Sequence, residues 1–173
     1  MAYSTISKSS AYMNPKTYTG NSSTQSITGV GFQPDFTWIK NRNDGSNQSH
    51  VLFDAVRGAT KYIQTNSSAA EGTEAAGLTA FGADGFTVGN TVTVNTAFNY
   101  IAWNWKANGS GSTNGDGSIT TTATSVNTAG GFSICQWTGT GSNATIGHGL
   151  GVAPKMIIVK NLSTSDSWNV YHE

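Results

Sequence analysis

Cysteine is almost missing from this sequence. Cys135 is the single one, so no intrachain disulfide can form and a cysteine-rich zinc site is excluded. In its alternating context, Ile134-Cys135-Gln136, it reads as a small residue packed on a sheet. Charge is scarce too: 10% of the 173 residues are Asp, Glu, Lys or Arg, against about 25% in an ordinary soluble protein. Nine basic residues balance nine acidic ones, so no net field draws the chain to nucleic acid or to an anionic membrane. No apolar run approaches the roughly 18 residues of a membrane span. Met1-Ala2-Tyr3-Ser4-Thr5-Ile6 has neither the basic nor the apolar part of a secretion signal. The expectation is a chain that starts as made and reaches any external site without signal cleavage. Helix-forming composition is confined to Ser67–Gly77, and Gly72 interrupts it, so at most a helical turn is expected there.

Glycine and aromatics are abundant: 21 Gly, 5 Trp, 6 Tyr and 7 Phe, set among Ser, Thr and Asn. That mixture suits extended β structure and leaves solubility to uncharged polar groups. At this length about 70% of the unfolded surface can be buried, so a core needs no staples. Strand signals recur at short intervals. Phe36-Thr37-Trp38-Ile39-Lys40 alternates, His50–Val56 reads as its return strand, and the Asp44-Gly45 pair between them suits a hairpin. Thr60–Thr65 is a further strand, and Leu78–Val88 a hairpin around Asp84-Gly85. Tyr100–Lys106 is the strongest strand; Ile101, Trp103 and Trp105 share one face, predicted to be internal, which would leave Tyr100 on the exposed side. Further strands are expected at Ser118–Ser125, Phe132–Trp137, Lys155–Asn161 and Trp168–Tyr171. The fold class is therefore all-β, an antiparallel β-sandwich of the jelly-roll kind.

One stretch returns. Tyr18-Thr19-Gly20 leads to Gly29-Val30-Gly31-Phe32-Gln33-Pro34 and Trp38-Ile39-Lys40-Asn41. Trp137-Thr138-Gly139 leads to Gly149-Leu150-Gly151-Val152-Ala153-Pro154 and Ile158-Val159-Lys160-Asn161. The offset is 119 positions at the aromatics (18 to 137) and 120 at the lysines (40 to 160), placing a one-residue insertion near His148. Four divisions follow. Residues 1–16 are an arm or edge strand, 17–107 a first β-sandwich module, and 108–117 a Gly/Ser/Asn-rich linker. Residues 118–173 are a partial second module, or strands that complete the first. Because the second copy stops where the first continues through Lys61, Phe86 and Trp103, a longer parent polypeptide is expected.

No catalytic constellation stands out. The Gly29-x-Gly31 and Gly147-x-Gly149-x-Gly151 turns open no helix and lack the Lys-Ser/Thr of a phosphate-binding loop, so they read as strand entrances fixed by Pro34 and Pro154. Asn114-Gly115-Asp116-Gly117 resembles part of a calcium loop without its leading Asp and closing Glu. His50, His148 and His172 have no spacing that argues a shared metal site. The carboxylates are Asp35, Asp44, Asp54, Glu71, Glu74, Asp84, Asp116, Asp166 and Glu173. A glycosidase needs two of them roughly 5–10 Å apart, for which Asp54 and Asp84 are the candidates, both at turns where Asp serves local bonds. The reading is no enzyme, no cofactor, no metal and no identifiable ligand residue.

Tyr-Thr-Gly-Asn (18–21), Ser-Ile-Thr-Gly-Val-Gly-Phe-Gln-Pro-Asp (26–35), Leu-Phe-Asp-Ala-Val-Arg-Gly-Ala-Thr-Lys-Tyr (52–62), Asp-Gly-Phe-Thr-Val-Gly (84–89) and Ile-Ala-Trp-Asn-Trp-Lys-Ala (101–107) are found together here. This set resembles an uncharacterised domain family of marine tailed-bacteriophage structural proteins. Gly-His-Gly-Leu-Gly-Val-Ala-Pro-Lys-Met-Ile-Ile-Val-Lys (147–160) and Trp-Asn-Val-Tyr-His-Glu (168–173) are similar to its continuation. The resemblance implies a non-enzymatic virion protein with lectin-like, concanavalin-type jelly-roll modules, in a tail fibre or similar appendage. It implies virion localisation, contacts with other virion proteins and a host surface glycan, a homotrimer, and neither nucleic-acid binding nor membrane insertion. The alternatives are a capsid decoration or head-fibre protein, and a carbohydrate-binding module or glycan hydrolase.

Overall fold

The computed structural model describes residues 6–43, 45 and 48–173. Asp44, half of the expected Asp-Gly turn, and Met1–Thr5 of the arm lie outside the described residues. The described chain is a succession of short strands with one 3-10 turn, Ser9–Ala11. The strands are β1 (Lys16–Thr19), β2 (Gln25–Thr28), β3 (Phe36–Asn41), β4 (Val51–Asp54), β5 (Lys61–Gln64), β6 (Gly72–Thr73), β7 (Leu78–Gly82), β8 (Gly85–Val88) and β9 (Asn99–Trp105). They continue as β10 (Ala123–Asn127), β11 (Phe132–Gln136), β12 (Met156–Val159) and β13 (Asn169–His172).

The all-β expectation is met. A six-stranded sheet of order β1-β9-β3-β4-β5-β6 faces a three-stranded sheet of order β2-β8-β7, with antiparallel neighbours throughout. The core lies between them: Ile39, Val51, Phe53, Tyr100 and Ala102 from the larger sheet meet Ile27, Leu78, Phe86 and Val88 from the smaller. Burying each large apolar side chain contributes about 1.5–3 kcal/mol. Tyr18 packs at the edge of this core, its ring stacked on Tyr100 at 5.2 Å and its hydroxyl donating to Val94 O at 2.7 Å. Burial, and then Tyr100, push its phenol pKa well above the ordinary value.

Two expectations are corrected. The inner face of β9 is Tyr100, Ala102 and Asn104, all fully buried, while Ile101, Trp103 and Trp105 point outward and stay partly exposed. Alternation separates these faces but does not choose between them. The choice goes to the set with a small residue for close sheet packing and polar groups that can be satisfied inside. Asn104 Oδ1 accepts from Thr37 Oγ1 (3.2 Å), its amide donates to Asn14 O (3.0 Å), and the Tyr100 hydroxyl donates to Val92 O (3.0 Å). Over Ser67–Gly77, where at most a helical turn is expected, the structure holds a single turn, in which Gly77 N donates to Glu74 O (2.9 Å). Gly72 and Thr73 form β6 against β5, and a Cβ at Gly72 would sit 2.6 Å from the Tyr62 ring. The β7–β8 turn also centres one residue earlier than expected, on Ala83-Asp84, because Gly82 pairs with Gly85.

Strands β10–β13 join neither sheet; they form two separate pairs, β10–β11 and β12–β13. Residues 108–117 are tied to β10 and the segment before it. Asn108 N donates to Ser125 Oγ (2.8 Å), Ser112 bridges Thr124, and Asn114 N donates to Thr121 Oγ1 (2.9 Å). The loop joining β12 to β13 docks on residues 67–71: Glu71 N donates to Leu162 O (3.0 Å), Asp166 N to Ser68 O (2.9 Å) and Trp168 Nε1 to Ser67 O (2.9 Å). Among the described residues no helix is long and apolar enough to cross a membrane.

Candidate functional site: the outer aromatic face

The register of β3 against β9 sets Phe36 beside Trp105 and Trp38 beside Trp103. Paired residues share a face, so these four rings form a patch on the outer side of the six-stranded sheet. Phe36 meets Trp105 edge-on at 5.2 Å, and Trp38 meets Trp103 at 5.8 Å and 60°. Phe132 of β11 closes one end, 5.5 Å from Phe36 and 6.2 Å from Trp105. At the other end Trp38 Nε1 donates to His50 Nδ1 (3.1 Å), while Lys40 Nζ donates to Gln48 O (2.8 Å). All six aromatic side chains, including His50, are partly exposed. Each indole thus keeps part of its surface exposed while neighbouring rings limit its rotamers, which suits recognition without large ordering cost.

Burial, and then the Lys40 charge, lower the His50 pKa, favouring the neutral ring whose Nδ1 accepts the indole proton. Because the folded pKa lies below the unfolded value of about 6.5, the unfolded chain binds the proton first as pH falls. Stability is full above pH 6.5 and declines as pH drops through the folded pKa. We expect a tryptophan-fluorescence transition with its midpoint below pH 6.5, absent in His50→Gln. A wild-type emission that is flat from pH 7.5 to 4.5 contradicts this contact.

The carboxylates proposed for hydrolysis serve structure. Asp54 accepts from Arg57 N (2.9 Å) and Arg57 Nε (2.6 Å). Asp84 accepts from Gly29 N (2.9 Å) and Gly31 N (2.6 Å), and these two bonds hold its carboxyl below the usual range, with Lys16 adding to the effect. Among the described residues the two acids have no hydrogen-bond partner in common. Buried Asp35 accepts from Ala107 N (2.7 Å) and Gln33 Nε2 (2.9 Å), which fastens the end of β9 to the entrance of β3. Asn114 Oδ1 accepts from Asp116 N (2.8 Å), closing the Asn114–Gly117 turn on itself. His148 Nδ1 accepts from Leu150 N (3.1 Å), and His172 lies exposed on β13 across from Met156. Cys135 is half-buried beside Thr124 and Ser133.

The two glycine turns share a backbone. Gly29 and Gly31 have φ of 80° and 86°, and Gly149 and Gly151 have 70° and 74°. The first is locked by Asp84. Beside the second lies an open hollow of about 500 Å³ bordered by Asp116, His148 and Val152. A neighbouring hollow of about 480 Å³ is bordered by Trp137, Ile119, Asn143 and Ile146. The sequence places Trp38 in an alternating strand and assigns Trp103 and Trp105 to the interior, with no ligand-binding residue marked, whereas in the structure all three are partly exposed. The presence of Ala102 and Asn104 between them was the available signal.

The model of the family described as "Domain of unknown function (DUF7483)" matches residues 8–173, so the chain belongs to that family. No curated protein and no solved structure matches it.

Proposed function

We propose that this member of the DUF7483 family is a non-enzymatic structural and adhesion protein of a bacteriophage virion, a tail fibre or similar appendage. In this reading a lectin-like β-sandwich of jelly-roll type, followed by a partial second copy, meets other virion proteins or a host surface glycan, as a homotrimer on the particle exterior. The virion assignment rests on the sequence resemblance. The observation that favours a binding role is the outer patch of Trp38, Trp103, Phe36 and Trp105, fixed by ring contacts and the His50 bond yet partly open to solvent. Neutral composition and uncharged polar loops suit contact with glycans or protein surfaces better than with polyanions.

Gold-labelled antibody against this chain should decorate the tail of particles that encode it. Label confined to the head supports the capsid-decoration alternative, and no label on intact particles removes the virion reading. For the sugar-binding role, Trp38→Ala or Trp103→Ala should weaken binding to host surface polysaccharide about tenfold or more, with a retained β-type circular dichroism spectrum. Depolymerisation of that polysaccharide by the purified chain would overturn the non-enzymatic assignment.

A further inference from the structure

One end of the outer aromatic patch holds hydrogen-bond donors and a charge that the fold leaves unmet. β3 sends Phe36, Trp38 and Lys40 to the outer face, where Lys40 pairs with Ile101 of β9. Successive residues on one face of a strand stand about 6.8 Å apart, so Lys40 follows directly on Trp38. Its ammonium donates once, to Gln48 O at 2.8 Å, which leaves two of its three hydrogens free. Among the described residues no carboxylate pairs with it. Asp54, the acid on this face of β4, lies opposite Phe36 at the other end and is bound by Arg57. His50 is oriented by the indole. Its Nδ1 accepts from Trp38 Nε1 at 3.1 Å, so the neutral ring carries its hydrogen on Nε2. Among the described residues nothing accepts from that Nε2; the other His50 donor, its backbone N–H, goes to Asn66 Oδ1. The Lys40 charge adds to burial in lowering the His50 pKa, which puts the two side chains within reach of each other. At the far end, Phe36, Trp105 and Phe132 pack on one another with centroids 5.2 to 6.2 Å apart.

Given the glycan-binding reading of the patch, we propose that its ligand is a saccharide bearing an acid group, carboxylate or sulfate. The sugar ring lies on Trp38 and Trp103, and the acid oxygens accept from Lys40 Nζ and His50 Nε2. The negative ring face of an indole attracts the polarised C–H bonds that line one face of a pyranose. Trp38 and Trp103 stand 5.8 Å apart with their planes at 60°, so they border one sugar from two sides. A neutral sugar leaves the ammonium to water. An acid group replaces that water with charge-assisted bonds, about twice as strong as neutral ones. A small anion without a ring forgoes the indole contact. The zero net charge of the chain supplies no long-range field, so the preference is local and acts at contact distance.

The probes are immobilised oligosaccharides in matched pairs: glucuronate beside glucose, galacturonate beside galactose, and sulfated galactose beside galactose. The intact chain is titrated over them at pH 7.5. The acid member of at least one pair should bind about tenfold tighter than its neutral partner, and added salt should weaken the acid member alone. A response of the carboxylated pairs or of the sulfated pair identifies which acid is held. Lys40→Gln should erase the preference, Lys40→Arg should keep it, and Lys155→Gln, an equal loss of charge on β12, should leave it unchanged. In the unaltered chain, glucuronate should shift the nitrogen resonance of His50 Nε2 and glucose should not. Equal affinity within every pair overturns the acid-group assignment and leaves the glycan-binding reading standing. A preference that survives Lys40→Gln, or a His50 resonance indifferent to a bound acid sugar, overturns the placement at this end of the patch. Absence of binding to every saccharide removes the glycan-binding reading and the acid-group assignment with it.

Discussion

Arg57→Met lowers the free energy of unfolding by about 3–5 kcal/mol, measured by urea denaturation, the cost of breaking a buried ion pair from one side. The guanidinium is only 5% exposed and the Asp54 carboxylate 6%. Three groups bind the arginine: Asp54 at 2.6 Å, Glu71 at 3.2 Å and Leu52 O at 3.1 Å. Without them Asp54 keeps the Arg57 backbone N–H, while its second oxygen and Leu52 O lose a partner inside the fold. Glu71 is the more exposed acid, so its loss is softened by water. Glu71→Gln should therefore cost about 1 kcal/mol or less. The cluster holds the β4–β5 turn and the segment on which the β12–β13 loop docks, so local exchange at residues 67–71 should rise in the Arg57 variant. An Arg57→Met protein within about 1 kcal/mol of wild type would show that the cluster contributes little. The same geometry bears on any hydrolase test: loss of activity in Asp54→Asn would need a stability control before a catalytic role was assigned.

Gly85→Ala should destabilise by about 3 kcal/mol or more, because it forces a side chain into a space that backbone already fills. An ideal Cβ there would stand 1.9 Å from Ile27 O and 3.0 Å from Ile27 C. Neither atom can move without parting β2 from β8, where Gly85 pairs with Thr28 and Phe86 with Ile27. Ile27, Phe86 and Val88 then lose the sheet that holds them in the core. Gly139→Ala is the control. Nothing lies within 4 Å of its Cβ position and its φ is unexceptional, so its effect should stay within about 0.5 kcal/mol. Comparable midpoints for the two variants in thermal unfolding would sink the argument from close approach.

Some of this was legible in the residues. Period-two alternation located the strands at residues 36–41, 61–64, 99–105 and 132–136, because half-buried strands leave that signature. The weaker strands β1 and β2 were not marked, since Lys16–Thr19 and Gln25–Thr28 are mostly polar and are defined by their partners β9 and β8. The glycine of the β7–β8 hairpin was visible, but its reason was not. The turn residues are Ala83 and Asp84, and Gly85 is required by Ile27, some 58 positions away. Asp84 and Asp54 looked alike in sequence. One holds two glycine N–H groups, and the other meets a buried arginine three residues on.

Composition and local patterning determined the class: short antiparallel strands, no disulfide, little charge, and a turn-plus-strand phrase written twice. Those properties depend on neighbours within a few positions. Which side of β9 became core was decided only in three dimensions, by whether Asn104 and Tyr100 could find Thr37, Asn14 and Val92 across the fold. The fate of the two similar phrases was decided there too. One is enclosed because β5 and β7–β9 pack around it, and the other leaves its apolar side chains exposed because, among the described residues, no further strand pairs with it. Burial is a property of what surrounds a residue, and a local pattern records only which residues share a side.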